Sequence, residues 1–324
     1  MQSRTINILG VNLRRLFLLM AIISLLLAAG CGGETAAPVA TAPPVPTPSG
    51  IAQPVLAVSE LVVGPNRFVF GLVDSGTGLP IVDVAEVGLQ FFKVNADGTA
   101  TKVGDADVVY QSKNLPAGLY VARTEFNEAG KWGAILNITR QGKEPYGTRM
   151  EFDVLADSTV PMVGEPAPPS KNLTKKDVAD ISEIDSAKPP SDMHDLTIAE
   201  AVTSGKPTLI LFAAPGFCPS FTCGPSLEVA QALEAKYRDK VNFIHIEAPN
   251  DIQNHTHVGP VDPNHHNQPG HQGVAKPQVE TAKEWGLKSE PWIFLVDKEG
   301  KIADRFEGGL TLEEIEPAFV KLLQ

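Results

Sequence analysis

The sequence predicts a multidomain protein in which an all-β sandwich precedes an α/β domain. Its 324 residues exceed what one ordinary hydrophobic core holds, so more than one folded unit is expected. Between residues 58 and 157, short apolar runs alternate with turn residues, which is typical of a sandwich of antiparallel strands. From residue 193 to residue 324, strand and helix signals alternate, which predicts a sheet covered by crossover helices.

Residues 1–30 have the features of an export signal. Basic residues come first, and an apolar run from Leu16 to Ala29 follows. This run is shorter than the roughly 20 residues that a membrane-spanning helix needs. The small residues directly before Cys31 resemble the lipobox of bacterial lipoproteins. That resemblance implies cleavage before Cys31, a diacylglycerol on its sulfur, and a lipid anchor on the extracytoplasmic side of a membrane in the cell envelope. An ordinary signal peptide is the alternative.

Residues 31–57 and 158–192 are predicted to connect the folded parts. The first segment is mostly Ala, Pro, Thr, Val and Gly without an apolar period, which predicts an extended tether. The second is rich in Pro, Ser, Asp and Lys and is predicted to be a linker. The formal net charge of −11 makes the surface repel phosphate backbones, so nucleic acid is not an expected partner.

The sandwich is predicted over residues 58–157. Its strand signals are the apolar runs at 67–73, 87–94, 118–126, 132–139 and 149–155. The sequence Gly118-Leu-Tyr120, followed by Phe126, Ala129-Gly130 and Trp132-Gly133, resembles the end of bacterial immunoglobulin-like modules. No cysteine pair crosses this region, and no cluster of titratable residues stands out in it. We therefore interpret it as a spacer or docking module.

The α/β domain is predicted over residues 193–324. Its elements follow the order β-α-β-α-β-β-α after a first helix at 197–204: strands at 208–214, 241–247, 292–296 and 302–306, and helices at 226–240, 277–285 and 311–323. The strands at 208–214 and 241–247 should be parallel because a single helix crosses between them. Their carboxyl ends then share one edge of the sheet, where ligands of such sheets collect.

Cys218 and Cys223 lie between the first of these strands and the helix signal near Ser226. The free N–H groups and the positive dipole end of a helix's first turn favour a thiolate over a thiol. Two cysteines so close together in an exported protein suggest reversible disulfide chemistry.

This region resembles the thioredoxin fold. The cysteines follow the first long strand, Pro291 stands directly before a strand, and residues 297–302 look like the hairpin of the reductase family. The segment Val163–Pro168 also resembles the lead-in of envelope thioredoxin-like proteins. The resemblance implies a cis bond at Glu290-Pro291, which exposes main-chain groups to an extended substrate. It also implies thiol-disulfide exchange with extracytoplasmic protein thiols or disulfides, with no required cofactor.

The cysteine spacing departs from this family. Thioredoxins carry C-x-x-C, whereas this chain has four residues between its cysteines, and Cys223-Gly-Pro-Ser226 looks like a C-G-P-C motif that has lost its second cysteine. Either cysteine could be the nucleophile, and Cys223 is favoured because Gly and Pro follow it at a helix start. Leu211 stands where thioredoxins place a buried carboxylate. A disulfide that only staples a non-catalytic docking module is a third hypothesis.

A long polar segment between residues 249 and 276 contains five histidines: His255, His257, His265, His266 and His271. Imidazoles bind copper or zinc, and thiolates strengthen the preference for cuprous copper or zinc. Two thiols and a histidine on this fold resemble the SCO-type copper chaperones, so copper binding is the alternative function. A solvated polar loop is the other interpretation of the segment. His245 is interpreted as a packed strand residue rather than a ligand, and His194 has no evident partner.

Overall fold

A computed structural model describes residues 50–218, 222–247 and 280–324. These described residues belong to one compact unit. Within the described ranges, the chain forms an N-terminal pair of antiparallel sheets and a C-terminal α/β domain. None of the helices in these ranges has the length and apolar character needed to cross a bilayer.

The N-terminal part consists of eight strands in two four-stranded sheets. In chain order they are β1 (Ala52–Leu56), β2 (Gly64–Asp74), β3 (Val84–Val94), β4 (Ala100–Ala106), β5 (Val109–Gln111), β6 (Leu119–Phe126), β7 (Gly130–Arg140) and β8 (Tyr146–Val154). One sheet has the order β1-β2-β6-β5 and the other β4-β3-β7-β8. All pairings between these strands are antiparallel.

Aromatic side chains from both sheets share one core. Phe68 of β2 meets Phe91 of β3 edge to face, with ring centroids 5.0 Å apart, and lies 5.2 Å from the ring of Phe152 in β8. Phe126 packs edge to face on Trp132, which is fully buried. Because the two sheets contribute inward-facing residues to a single cluster, they form a β-sandwich.

Three strands lie outside the runs that the sequence predicts. Strand β1 pairs with β2 although Ala52–Leu56 falls in the predicted tether, so that the first strand begins before residue 58. Strand β4 is almost wholly exposed, and β5 has only three residues. Short or polar edge strands bury too few side chains to leave an apolar alternation in the sequence.

In its described residues, the C-terminal domain contains a mixed four-stranded sheet and four α-helices. Its strands are β9 (Thr208–Phe212), β10 (Asn242–Ile246), β11 (Trp292–Val296) and β12 (Ile302–Glu307), and its helices are α1 (Ile198–Val202), α2 (Cys223–Tyr237), α3 (Glu280–Glu284) and α4 (Leu312–Leu322). The strand order is β10-β9-β11-β12. Strands β9 and β10 are parallel, as predicted, whereas β11 is antiparallel to both neighbours.

The sheet is buried on both faces. In β9, Leu209 and Leu211 point into a core shared with α2 and α4, whereas Ile210 and Phe212 point into a second core shared with α1 and α3. A central strand covered on both faces is apolar throughout, which explains why β9 has no polar alternation. Helix α2 begins at Cys223, three residues before the predicted start at Ser226.

The predicted linker at residues 158–192 is folded against the C-terminal domain. Gly164 and Ala167 donate backbone hydrogen bonds to Ile302 and Gly300, so this stretch extends along the β11-β12 hairpin. Farther on, Ser170 and Asp185 are buried. Polar composition suggested a solvated linker, but its polar groups are instead satisfied by hydrogen bonds inside the fold.

The sandwich and the C-terminal domain are joined by a buried ion pair. Arg67 of β2 donates to both carboxylate oxygens of Glu314 in α4, at 2.6 and 2.7 Å, and also to the carbonyl oxygen of Gly309 at 2.8 Å. Both side chains are less than a tenth exposed. Gly309 also lies in contact with Leu115 and Leu119 of the sandwich, which places the sandwich beside the end of β12.

Candidate functional site

Cys218 and Cys223 form a disulfide, with their Cα atoms 6.0 Å apart. Cys223 is the first residue of α2, a helix of 15 residues, and Cys218 ends the turn that follows β9. The predicted pairing is therefore present, with one sulfur at the amino-terminal end of a helix. There the unpaired N–H groups and the dipole favour negative charge on sulfur once the bond opens.

The two sulfurs differ in exposure. Cys223 is fully buried in the core beneath α2, whereas Cys218 is only partly buried and packs against the edge of that core. The sequence favoured Cys223 as the nucleophile because of its position at the helix start. Its burial argues against that role, since an attacking or attacked sulfur must be reached by the partner.

The turn before Cys218 is held by a serine and a buried glutamate. The backbone N–H of Gly216 donates to Ser186 Oγ at 2.8 Å, and Ser186 Oγ donates to Glu247 Oε1 at 2.8 Å. A Cβ atom on Gly216 would lie 2.8 Å from the Cβ atom of Ser186, so only glycine permits this approach. The segment predicted to be a linker thus positions the turn that carries Cys218.

Glu247 was not singled out by the sequence. Burial raises its pKa to about 7, against the lowering effects of His245 and Ser186. Its Oε2 atom has no hydrogen-bond partner among the described residues. The alternation of Phe243 and His245 in β10 with Glu247 directly after it was the available signal, because it places these side chains on the face that carries the disulfide.

The Glu290-Pro291 bond is cis, as the family resemblance implied. Trp292 pairs with Phe212, so Pro291 stands at the edge of the sheet where β9 leads into the cysteine turn. The carbonyl oxygen of Pro291 accepts a hydrogen bond from Gly308 at 2.9 Å. The proline and the disulfide therefore belong to the same end of the domain.

A second polar group lies deeper, behind the cysteine turn. Asp185 Oδ2 is 2.9 Å from His194 Nε2 and 3.3 Å from His245 Nδ1. Ser191 Oγ lies within 3.1 Å of all three atoms. We refer to Asp185, Ser191, His194 and His245 as the buried cluster. His194 thus has partners that its sequence context did not reveal, and His245 is packed as predicted.

In the buried cluster, the Asp185 carboxylate and the His245 ring shift each other's pKa. Burial alone would raise the pKa of Asp185, but the hydrogen bonds from His194 and His245 outweigh it and hold the pKa of this carboxyl far below its usual range. Burial alone would lower the pKa of His245, but its bond to Asp185 and the nearby negative charges raise it overall. The cluster therefore favours positive charge beside an ionised Asp185.

Several predicted site residues lie outside the described ranges. They are Cys31 and the five loop histidines, His255, His257, His265, His266 and His271. Lipidation of Cys31 and metal binding by the loop stay predictions.

Residues 194–323 match the family model described as a thioredoxin-like domain. Among solved structures, a thiol:disulfide interchange protein of the thioredoxin family from Chlorobium tepidum is 17% identical, with a TM-score of 0.31; the match covers 52% of this chain and 100% of that chain. MTB DsbF, in its mixed oxidised and reduced forms, is 21% identical with a TM-score of 0.28, and the match covers 40% of this chain and 88% of that chain. No curated protein matches the sequence. The family match agrees with the observed strand order and disulfide position, and the C-terminal part of the chain is a thioredoxin-like domain.

Proposed function

We propose that the protein is a thiol-disulfide oxidoreductase that acts outside the cytoplasm through Cys218 and Cys223. The observation that carries this proposal is the disulfide itself, which joins a partly exposed sulfur to a buried one at the first residue of α2 in a thioredoxin-like domain. This asymmetry gives one sulfur that a partner can reach and one that can leave as a stabilised thiolate.

The proposed reaction begins with attack by a partner's thiolate on Cys218 Sγ. The bond between Cys218 and Cys223 breaks, and its electron pair stays on Cys223 Sγ, at the positive end of α2. The partner's second thiolate then attacks its own sulfur in the mixed disulfide and releases the Cys218 thiolate. The net result is one oxidised partner dithiol and one reduced cysteine pair, with the two protons of the partner transferred to the pair. The reverse sequence reduces a partner disulfide.

Pro291 is proposed to shape the surface that receives the partner. It opens β11 at the sheet edge beside the cysteine turn. The resemblance to thioredoxins implies that main-chain groups next to this proline pair with an extended segment of a partner protein. Ser186 and Glu247 contribute by holding Gly216, and hence the turn, in place.

The sandwich is proposed to be an immunoglobulin-like module. Its strand orders, β1-β2-β6-β5 and β4-β3-β7-β8, correspond to the A-B-E-D and C′-C-F-G arrangements of such modules. Together with a lipid at Cys31 and the segment that follows it, the module would hold the thioredoxin-like domain off the membrane surface. Extracytoplasmic proteins with accessible thiols or disulfides are then the proposed partners.

The proposal is tested by equilibrating the full chain with mixtures of reduced and oxidised glutathione. Alkylation followed by mass measurement gives the fraction of reduced pair at each ratio. We expect a single two-electron transition between the disulfide form, which is not alkylated, and the reduced form, which is alkylated at both cysteines. We also expect the protein to catalyse dithiol oxidation or disulfide reduction in a model protein. The matched control is the double variant Cys218→Ser/Cys223→Ser, which should be inactive.

A pair that stays oxidised under strong reductant, or that gives no turnover in either direction, would contradict the proposal and favour a disulfide-stapled docking module. Turnover that persists in the double variant would also contradict it. Copper or zinc binding that requires both cysteines and is accompanied by no turnover would favour the copper-chaperone alternative.

A further inference from the structure

The buried cluster has the composition and arrangement of a metal site. Its four polar atoms, Asp185 Oδ2, Ser191 Oγ, His194 Nε2 and His245 Nδ1, come from separate turns of the 180–195 segment and from strand β10. All four residues are buried. Asp185, His194 and His245 bring their ligand atoms within 4.8 Å of one another. Two imidazoles and a carboxylate are a common donor set for zinc.

The spacing of these atoms suits a small tetrahedral ion. Asp185 Oδ2 lies 2.9 Å from His194 Nε2 and 3.3 Å from His245 Nδ1. Ser191 Oγ lies 2.9, 3.1 and 3.0 Å from the atoms of Asp185, His194 and His245, respectively. Ligands bound to zinc at about 2.0 to 2.1 Å are separated by about 3.3 Å in a tetrahedron. These five distances are equal to that separation or a few tenths of an ångström below it, whereas His194 Nε2 and His245 Nδ1 lie within 4.8 Å of each other. An ion could therefore replace the internal hydrogen bonds if the two rings moved closer together.

The hydrogen bonds around the cluster orient its lone pairs inwards. His245 Nε2 lies 2.8 Å from the carbonyl oxygen of Ala213, which can only accept, so Nε2 carries the hydrogen. Nδ1 is then the nitrogen that faces Asp185 Oδ2, and a bound ion would take the place of a proton on that nitrogen. A backbone N–H from Ala187 fixes the other oxygen of Asp185 at 2.8 Å. Such outer partners are typical of metal-bound histidine and carboxylate.

A cavity gives access to the cluster. It has a volume of about 750 Å³, and Ser191 and His194 are part of its wall. Four carboxylates line it (Asp192, Asp195, Glu234 and Asp239) against only two basic groups, Lys175 and Arg238. An excess of negative charge in a concave surface concentrates cations near it.

We propose that Asp185, His194 and His245 bind one divalent transition-metal ion of the zinc type, with Ser191 Oγ or a water molecule as the fourth ligand. No thiolate takes part, so the site is separate from the disulfide. Its role is structural: the ion ties the 180–195 segment, which positions the cysteine turn through Ser186, to strand β10. This inference does not depend on the redox proposal.

The site is tested with the full chain, freed of metal by a chelator and then supplied with Zn²⁺ or Co²⁺. We expect one metal per chain by elemental analysis, a rise in the unfolding temperature with Zn²⁺, and Co²⁺ absorption bands of a four-coordinate site without sulfur charge transfer. The variant in which all five loop histidines are changed to alanine, and the Cys218→Ser/Cys223→Ser variant, should each retain one metal. The variants Asp185→Asn and His245→Gln should lower occupancy at least tenfold.

If the cluster variants fail to fold, X-ray absorption of the wild-type zinc complex decides the question, because it counts imidazole ligands and detects sulfur directly. Two imidazoles with oxygen donors and no sulfur support the proposal. Fewer than 0.1 ions per chain in the wild type, sulfur in the coordination shell, or no bound metal in the loop variant would overturn it. If the wild type binds fewer than 0.1 ions per chain, the cluster is a hydrogen-bonded structural network only.

Discussion

Exposure separates two cysteines between which the sequence favoured Cys223 as the nucleophile. Cys223 has the position that lowers a thiol pKa most, at the first turn of α2, yet it is fully buried. Cys218 is partly exposed and ends a turn that Ser186 and Glu247 hold in place. A buried sulfur whose thiolate is stabilised by the helix is suited to be the leaving group and the resolving thiol. An exposed sulfur is suited to form the mixed disulfide with a partner.

We therefore predict different behaviour of the two single serine variants. With oxidised glutathione, Cys223→Ser should accumulate a mixed disulfide at Cys218, because no second thiol is left to resolve it. Cys218→Ser should form at least tenfold less in the same time, because its remaining thiol is buried. Mass measurement of the intact protein gives both yields. Equal yields, or the reverse order, would show that exposure in the oxidised protein does not decide which sulfur reacts.

At the level of elements, short helices in the C-terminal domain depend on local hydrogen bonds. Helix α1 has only five residues, too few to be stable by itself. Thr197 Oγ1 accepts from the backbone N–H of Glu200 at 3.1 Å, and Glu200 Oε2 accepts from the backbone N–H of Thr197 at 2.8 Å. This reciprocal pair satisfies free N–H groups at the helix start, while Ile198 and Ala201 bury the opposite face.

The variant Thr197→Ala should lower the free energy of unfolding by about 1 kcal/mol, since it removes the side-chain oxygen that caps α1. Thr197→Ser keeps that oxygen and should lose less than half as much. Urea denaturation followed by circular dichroism measures both. A loss in the serine variant as large as in the alanine variant would assign the effect to packing of the methyl group instead.

At the level of the whole molecule, the sandwich and the thioredoxin-like domain form a continuous structure. Arg67 and Glu314 bridge them in a buried position, and Arg123 adds a longer contact of 3.2 Å to the same carboxylate. Leu115 and Leu119 reach Gly309, which also contacts Thr222 at the start of α2. The sandwich therefore lies beside the start of α2, the helix that begins with Cys223.

This interface should weaken in acid. Burial by itself raises the pKa of Glu314, but its bonds to Arg67 outweigh burial, so the pKa in the folded protein lies below its ordinary value of 4.5. A group whose folded pKa is lowered stabilises the fold above its unfolded pKa, and that stabilisation disappears as the pH falls through the folded pKa. The ionised pair should thus contribute fully at neutral pH and progressively less below about pH 4.5.

The variant Glu314→Gln tests this contribution. It leaves Arg67 buried without an opposite charge, so we expect a loss of about 3 kcal/mol at pH 7 and a smaller difference from the wild type near pH 3. Asp153→Asn, which removes an exposed pair with Lys131, is the control and should cost less than about 1 kcal/mol. Denaturation at a series of pH values gives the comparison. A difference that does not depend on pH would exclude the ion pair as its cause.

The sequence by itself determined the order of elements in the C-terminal domain, the parallel pairing of β9 and β10, and the position of the cysteines between β9 and α2. These features depend on local signals: continuous apolar runs for buried strands, Gly and Pro at turns, and a helix start after a strand. The same signals found the longer strands of the sandwich.

The tertiary structure alone decided what the polar residues do. Polar composition predicted a linker at 158–192, but Asp185 of that segment meets His245 of β10, and Ser186 meets Glu247 directly after β10, about 60 residues farther along the chain. The exposure of the two cysteines and the ion pair between Arg67 and Glu314 also depend on contacts between distant segments. Long-range hydrogen bonds and burial of this kind depend on which distant segments contact each other in the folded protein. The periodicity of the sequence does not predict those contacts.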